Sequence, residues 1–264
     1  MKIASRNVNG IRAVLNKGFF EWVKENDRDI FCLQEVKAFE TQIPPELRFH
    51  LSDYHYLWHK GTRPGYAGTA IFYKKNIEIK EAKSEFPIFE FWEEGRTTEI
   101  IFLYKGKEIV LMNIYFPNGG ERADGTEMLT YKLDYYKNFI KYCNEQKITG
   151  REIITTGDFN ICHQAIDIAR PEENKNSIGF LPIERAEMDT MLAQGYTDVR
   201  RWKNPTLAER YTWWSYRAGS RPRNVGWRLD YFWVSGGILP LVKDIQHQDD
   251  VLGSDHCPIF LELS

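Results

Sequence analysis

The chain predicts a single α/β domain over residues 1–264, with sheets inside and helices outside. Three observations predict it. Short β-type runs alternate with segments of helical spacing from one end to the other. A composition that is 42% hydrophobic and 14% aromatic supplies a sizeable core. No low-complexity linker or composition break divides the chain.

Taken in order, the elements read as follows. Residues 2–7 form a strand, and helical spacing covers about 12–26. DIFCLQE (29–35) is a second strand, with further strands near 54–59, 67–74 and 77–82. In EIIFLYKGKEIVLMNIYF two β-rich runs flank Lys-Gly, which predicts a hairpin. Leu129, Leu133, Tyr136, Phe139, Ile140 and Cys143 then recur at helical spacing. A strand runs to Asp158, and a helix opens at Pro182 with Glu184 in its first turn. Three C-terminal strands follow, beginning with RLDYFWV (228–234) and ending with IFLEL. Loops rich in Gly and Pro cluster at 61–68, 117–125 and 219–226, where a rigid scaffold places binding residues.

The strand ends carry the chemistry. EIITTGDFN (152–160) closes in Gly-Asp-x-Asn, and residues at i and i+2 leave a strand on one face, so Asp158 and Asn160 reach a sheet rim together. Asn7 and Asn9 repeat that spacing, and Glu35 ends the second strand. Asp230 lies in an aromatic strand, and Asp255 with His256 precedes the last one.

No apolar stretch approaches the length of a membrane span, and MKIASRN has no signal-peptide pattern, so a cytoplasmic chain without a membrane partner is expected. Cys32, Cys143, Cys162 and Cys257 lack CxxC spacing, which predicts buried free thiols. A net charge of −2 argues against a generic polyanion binder. Residues 198–228, however, hold eight basic residues, including Arg200, Arg201, Arg217, Arg221, Arg223 and Arg228, interleaved with Trp202, Tyr211, Trp213, Trp214, Tyr216 and Trp227. That pattern suits phosphate contacts plus stacking on nucleotides.

Phosphodiester hydrolysis needs an activated water, charge compensation and help for the leaving oxygen. Glu35 and Asp255 with Asn9 form an all-oxygen set suited to Mg2+ or Mn2+. His256 is the proton or phosphate partner, with Asp230 fixing its tautomer. Asp158, anchored by Asn160, orients or deprotonates the water.

Ordered motifs then identify a resemblance: NVNGIRA (7–13), LQEVKA (33–38), GYAGTAIF (65–72), NIYFPNG (113–119), GDFNICHQAIDIARP (157–171), YTWWSYR (211–217), NVGWRLDYF (224–232) and GSDHCPI (253–259). Over essentially its whole length the chain resembles the exonuclease III family of apurinic/apyrimidinic endonucleases, within the endonuclease/exonuclease/phosphatase superfamily. The resemblance implies a four-layer α/β sandwich, two mixed sheets face to face with helices outside. It also implies a metal-dependent monomer acting on double-stranded DNA with abasic sites, cutting 5′ to them and trimming 3′ ends.

Residue by residue, it implies that Glu35 and Asp255 hold the metal, and Asn9 stands where many relatives have aspartate. Asp158 matches the residue acting on the water, Asn160 and Asn7 its support, Tyr115 a phosphate ligand, and His256 with Asp230 the phosphate-contacting pair. Trp213, Trp227 and Leu229 match an apolar pocket for the flipped-out sugar, whereas Trp214 is assigned to the core. Tyr66, Lys37, Arg96, Asn118 and Asn174 match DNA-backbone contacts. Arg6 departs from the usual tryptophan or small residue, a change expected to alter the floor beneath Asn7. Any arginine wedge into DNA is expected from Arg122 or elsewhere. Two other readings stand beside the nuclease: a phosphatase of the same fold acting on inositol phosphates or sphingomyelin, and an inactive DNA-binding relative.

Overall fold

The computed structural model describes residues 1–264 and holds twelve strands: β1 (Lys2–Asn7), β2 (Ile30–Gln34), β3 (Tyr54–His59), β4 (Thr69–Lys74), β5 (Ile79–Lys83), β6 (Thr97–Tyr104), β7 (Lys107–Tyr115), β8 (Glu152–Asp158), β9 (Tyr196–Asp198), β10 (Asp230–Ser235), β11 (Val242–His247) and β12 (Ile259–Leu263). They form two six-stranded sheets, ordered β11-β12-β1-β2-β4-β3 and β5-β6-β7-β8-β10-β9. Both sheets are mixed: β1 with β2 and β7 with β8 are parallel, and the other pairs are antiparallel.

Ile3, Cys32 and Ile71 from one sheet meet Ile100, Leu111, Ile154 and Phe232 from the other in one buried cluster. Alternate residues of the strands supply this layer, because successive side chains leave opposite faces. The outer face of the first sheet is covered by α1 (Ile11–Leu15), α2 (Phe19–Asn26) and α3 (Pro45–His50), with Val14, Trp22 and Leu47 set against Phe31, Leu33 and Phe72. The second is covered by α4 (Leu129–Ile148) and, after the single turn α5 (Pro171–Asn174), by α6 (Pro182–Ala193). Phe139, Met188 and Met191 pack there on Met112, Ile153 and Trp233. Each such buried side chain contributes about 1.5–3 kcal/mol of transfer free energy. Helix, sheet, sheet and helix thus make the four layers that the family resemblance implies.

The expected helix over 12–26 is two helices, because Gly18 sits in the left-handed region at φ 82 and breaks the run before α2. Three-residue β9 and the short α7 (Val199–Lys203) were not foreseen, being too short to show a period. Arg6 is not in a floor beneath Asn7. It points to the outer face, where it donates to Leu252 O at 2.7 Å and lies 5.3 Å over Trp22. All four cysteines are buried and free, and no helix is long and apolar enough to cross a membrane.

Register positions the site. Asp158 pairs with Tyr115 on one side and Asp230 on the other, and Asn7 pairs with Gln34. Gly157 is obligatory in this arrangement: a Cβ there would lie 1.9 Å from Ile114 O. Between the sheets, Gln34 Nε2 donates to Asn113 Oδ1 at 2.6 Å, and Asn113 Nδ2 donates to Leu33 O and Ala70 O. These buried bonds tie the two sheets together directly behind the site.

Candidate active site

The strand ends converge on one edge where the two sheets meet. Asn7 Nδ2 bridges the sheets, donating to Glu35 Oε1 at 2.8 Å and to Asp158 Oδ2 at 2.9 Å. The other oxygen of Asp158 accepts from Asn160 N at 2.9 Å, and Asn160 Nδ2 donates to Phe116 O at 2.8 Å. His256 places Nδ1 2.8 Å from Asp230 Oδ2 and Nε2 3.6 Å from Asp158 Oδ2. Thr212 is a supporting residue that sequence patterning missed. Its buried hydroxyl accepts from the backbone N–H groups of Leu229 and Asp230, at 2.9 and 3.0 Å. A lone Thr in an aromatic run carries no signal of that role.

Burial sets the charge states. It pushes Asp158 up to about 7, against the pull of His256 and with reinforcement from Asp230 and Glu35. Burial opposes the imidazolium of His256 too, yet Asp230 and Asp158 outweigh it and raise His256 to about 10. Asp255 is held below its usual value, because His256 and hydrogen bonds from Asn9 and Trp213 exceed its desolvation. Tyr115 is pushed up, mainly by burial and then by Glu35.

Next to this triad lies an oxygen-rich corner. Glu35 Oε2 is 2.7 Å from Lys37 Nζ, which also donates to Asn9 Oδ1, and Asn9 Nδ2 donates to Asp255 Oδ1 at 2.9 Å. Asn9, Glu35, Lys37 and Asn160 all hold positive φ, between 46 and 52. Left-handed Glu and Lys cost about 1 kcal/mol or more each, and such strain gathers at functional turns. Atoms of Glu35, Asp158 and His256 lie within 4.8 Å of one another, close enough to hold a metal ion. This close set differs from the expected Glu35, Asp255 and Asn9, because Lys37 stands between Glu35 and the Asn9–Asp255 pair. Both nitrogens of His256 already face carboxylates, which leaves oxygen donors for a cation. Counted over the corner, Glu35, Asp158, Asp230 and Asp255 face only Lys37 and His256, so two negative charges lack a counter-charge even with His256 protonated. A hard divalent ion fits that deficit.

A cavity of about 320 Å3 opens beside Asp158 and His256. Trp213, Trp227 and Leu229 form one wall, the two indoles edge to face at 6.1 Å, packed on Ile168 and Phe180. Trp213 Nε1 donates to Asp255 Oδ2 at 3.1 Å, which ties the wall to the acidic corner. Ser177, Ile178 and Gly179 also line the cavity, Gly179 close against the Trp227 indole. Ile178 was missed because no periodic segment contains it. Trp214 is buried in the core as expected.

The expected DNA contacts divide. Lys37, Tyr66 and Tyr115 are half-buried at the rim of the site, whereas Arg96, expected as a DNA-backbone contact, is buried and paired with Glu94 at 2.7 Å; it donates to Tyr66 OH at 2.9 Å and lies 4.9 Å over Tyr115, so it braces that rim from beneath. Asn118 is exposed and donates to Asn160 Oδ1 at 3.3 Å. Asn174 stands apart, its amide committed to Ala169 O and Arg170 O within its own turn. Arg221 corrects the sequence reading: its guanidinium donates to Ser254 O, Asp249 O and Val251 O and lies 4.5 Å over Trp214. Arg200, Arg201 and Arg228 are likewise buried rather than offered to phosphate. Arg223 remains exposed, bonded only to Ala218 O and Gly219 O, and Arg122 is tied to Glu94 at 2.7 Å.

Comparison with known proteins agrees with this fold. The sequence profile described as the endonuclease/exonuclease/phosphatase family matches residues 7–256. An exodeoxyribonuclease of Bacillus subtilis is 39% identical over 266 residues, covering 99% of this chain and 98% of that protein. A DNA-(apurinic or apyrimidinic site) endonuclease of Dictyostelium discoideum is 36% identical, covering 98% of this chain and 69% of that protein. Among solved structures, a 3′ phosphatase from Neisseria bound to a product DNA hairpin superposes with a TM-score of 0.86 at 25% identity, covering 100% of this chain and 99% of that one. The chain belongs to the endonuclease/exonuclease/phosphatase family.

Proposed function

We propose that this member of the family is a DNA-repair nuclease that hydrolyses the phosphodiester 5′ to an abasic site in duplex DNA, with 3′–5′ exonuclease and 3′-phosphodiesterase action at the same centre. The observation that carries the reading is the junction of two features in one cavity. An apolar wall of Trp213, Trp227 and Leu229 stands directly against Asp158 and His256. A base-free sugar turned out of the stack fits against this apolar wall, whereas an intact nucleotide must also bring its base.

Asp158, raised by burial, takes a proton from the attacking water, oriented by Asn7 and the N–H of Asn160. The water oxygen bonds to phosphorus as the P–O3′ bond breaks, leaving a 5′-phosphate and an O3′ alkoxide that takes its proton from solvent water to become the 3′-hydroxyl. His256, kept charged and oriented by Asp230, donates to the phosphate oxygen on which negative charge grows. Tyr115 borders the same cavity as a phosphate ligand. Glu35, with carboxylate oxygen of Asp158 close by, would hold Mg2+ or Mn2+, which supplies positive charge against the phosphate, and the Asn9–Asp255 pair beyond Lys37 adds to the negative charge that draws the cation in.

The test is incision of a duplex containing a tetrahydrofuran abasic analogue, with Mg2+ and with EDTA. Cutting 5′ to the analogue that EDTA abolishes is the expected result. Release of phosphate from inositol phosphates in place of DNA incision would overturn the reading.

A further inference from the structure

A fully buried ion pair lies behind the pocket, outside the machinery described above. Lys132 on α4 and Glu184 in the first turn of α6 touch, and both side chains are 0% exposed. Lys132 Nζ also donates to Asn118 O at 3.0 Å and to Asn160 O at 2.7 Å. Glu184 Oε2 accepts from Gly179 N at 2.6 Å and Leu181 N at 3.0 Å. One pair of opposite charges therefore gathers the loop bearing Asn118, the end of the Gly-Asp-x-Asn run, and the cavity wall at Gly179.

Filling space does not require this. Apolar residues of similar volume would pack the same gap without desolvating two charges, and such replacements are often neutral or stabilising. An ammonium differs from an apolar group in offering three donors from one point, and here all three are used. The lysine stem also fixes what its neighbours can be: a Cβ on Gly119 would fall 2.7 Å from Lys132 Cδ. The consequence reaches the site through the two carbonyls that Lys132 holds. Asn118 and Asn160 share a side-chain hydrogen bond, and Asn160 N holds Asp158 Oδ1. A shift of either carbonyl therefore moves the amide that orients Asp158.

We propose that Lys132 and Glu184 are positioning residues, which fix the backbone at Asn118, Asn160 and Gly179 and so set the spacing between the reacting phosphate and the wall of the abasic pocket. This rests on the abasic-nuclease reading given above.

Steady-state incision of the tetrahydrofuran duplex at saturating Mg2+ is measured for Lys132→Met, Glu184→Gln, Lys132→Met/Glu184→Gln and Lys132→Arg, beside thermal melting of each. Misplacement of about 1 Å in a catalytic centre lowers turnover by up to roughly a hundredfold. Lys132→Met is expected to lose tenfold to a hundredfold in kcat, on that order, with little change in KM. The double variant leaves no unpaired buried carboxylate, so it melts above Lys132→Met. Its Gln still accepts from Gly179 N, yet kcat stays low because the two carbonyls lack their donor. Lys132→Arg, able to reach both carbonyls, restores most of the kcat. Recovery of kcat together with melting temperature in the double variant overturns the proposal, as does an unchanged kcat in both the double variant and Glu184→Gln. A wild-type chain that leaves the abasic duplex uncut overturns the functional reading instead. A wild type that cuts, equalled by the double variant, overturns only the positioning role.

Discussion

Arg228 and Asp230 are two residues apart, yet they belong to buried sets of charge with opposite character. Arg228 and Arg201 face Asp167 and Asp198, two guanidinium groups against two carboxylates, with no side chain more than 9% exposed. Asp230 belongs to the corner where four carboxylates meet only His256 and Lys37. Burial pushes both Asp167 and Asp158 upward. Arg228 and Arg201 overcome that and hold Asp167 down at about 2, whereas a single imidazole leaves Asp158 at about 7. Desolvation is common to the two places, so the supply of counter-charge decides which carboxylate is inert and which is ready for proton transfer.

The largest effect expected from this contrast is on turnover. Asp158→Asn and His256→Ala should each lose roughly 10²–10⁴-fold in kcat on abasic duplex, the range for a positioned acid or base. Binding of the same duplex should survive, because both groups act on the transition state. Near-normal turnover in either variant would remove the site from this corner.

Breaking the balanced set should act on stability instead. Arg228→Met leaves Asp167 and Asp198 short of a counter-charge, and loss of one partner of a buried pair costs about 3–5 kcal/mol. Urea unfolding should show that loss, while turnover per folded molecule changes far less than in Asp158→Asn. An unfolding midpoint equal to wild type would mean that the balanced set does not hold the fold.

Acidity separates the two sets again. Asp158 and His256 both have folded pKa values raised above their unfolded ones, so each contributes stability that is present below the unfolded value and lost as pH rises, through about 7 for Asp158 and about 10 for His256. Asp167 has the opposite shift, so its contribution is present above the usual aspartate range and lost only as pH falls through about 2. Between pH 8 and pH 5 the metal-free wild type should therefore gain stability relative to Asp158→Asn, while incision falls as Asp158 takes up its proton. His59 and His247, held below the ordinary histidine value by burial, lose stability over the same interval in both chains, so the comparison of the two chains isolates Asp158. A difference in urea midpoint between them that stays constant from pH 8 to pH 5 would contradict the assignment.

These sets also mark where sequence reasoning works. Asn7, Asp158 and Asp230 were legible because strand ends meet at one rim, and Gly157 with its neighbours forms a compact local pattern. Asn160 reaches that rim differently from the expected i, i+2 alternation: it lies past the end of β8 in a left-handed turn, where its N–H donates to Asp158 Oδ1. The role of Arg228 was not legible. Its window read as basic, and the carboxylates that neutralise it lie 61 and 30 residues away in sequence, at Asp167 and Asp198. Charge counted in a window sees only chain neighbours, whereas burial pairs residues across sheets. Gly18 shows the same limit for helices: spacing continued through 12–26, while α1 ends at Leu15 and a left-handed glycine opens α2.

The smallest effect tests that limit at the loop itself, where Arg221 and Arg223 looked equivalent in sequence. Arg221 is a loop staple, held by three carbonyls and the face of Trp214. Arg223 is exposed and holds two carbonyls of its own turn. Neutralising one phosphate changes the slope of log K against log salt by about 0.9 on duplex DNA. Arg223→Ala should lower the slope by about that one contact and weaken binding evenly across sequences. Arg221→Ala should instead lower the melting temperature and leave the slope alone, because its charge is committed to the protein. The readout is binding of Asp158→Asn carrying each change, at several salt concentrations, so that cleavage does not intrude. A reduced slope for Arg221→Ala with unchanged melting would return this arginine to the DNA surface, and with it the simpler reading of the basic window.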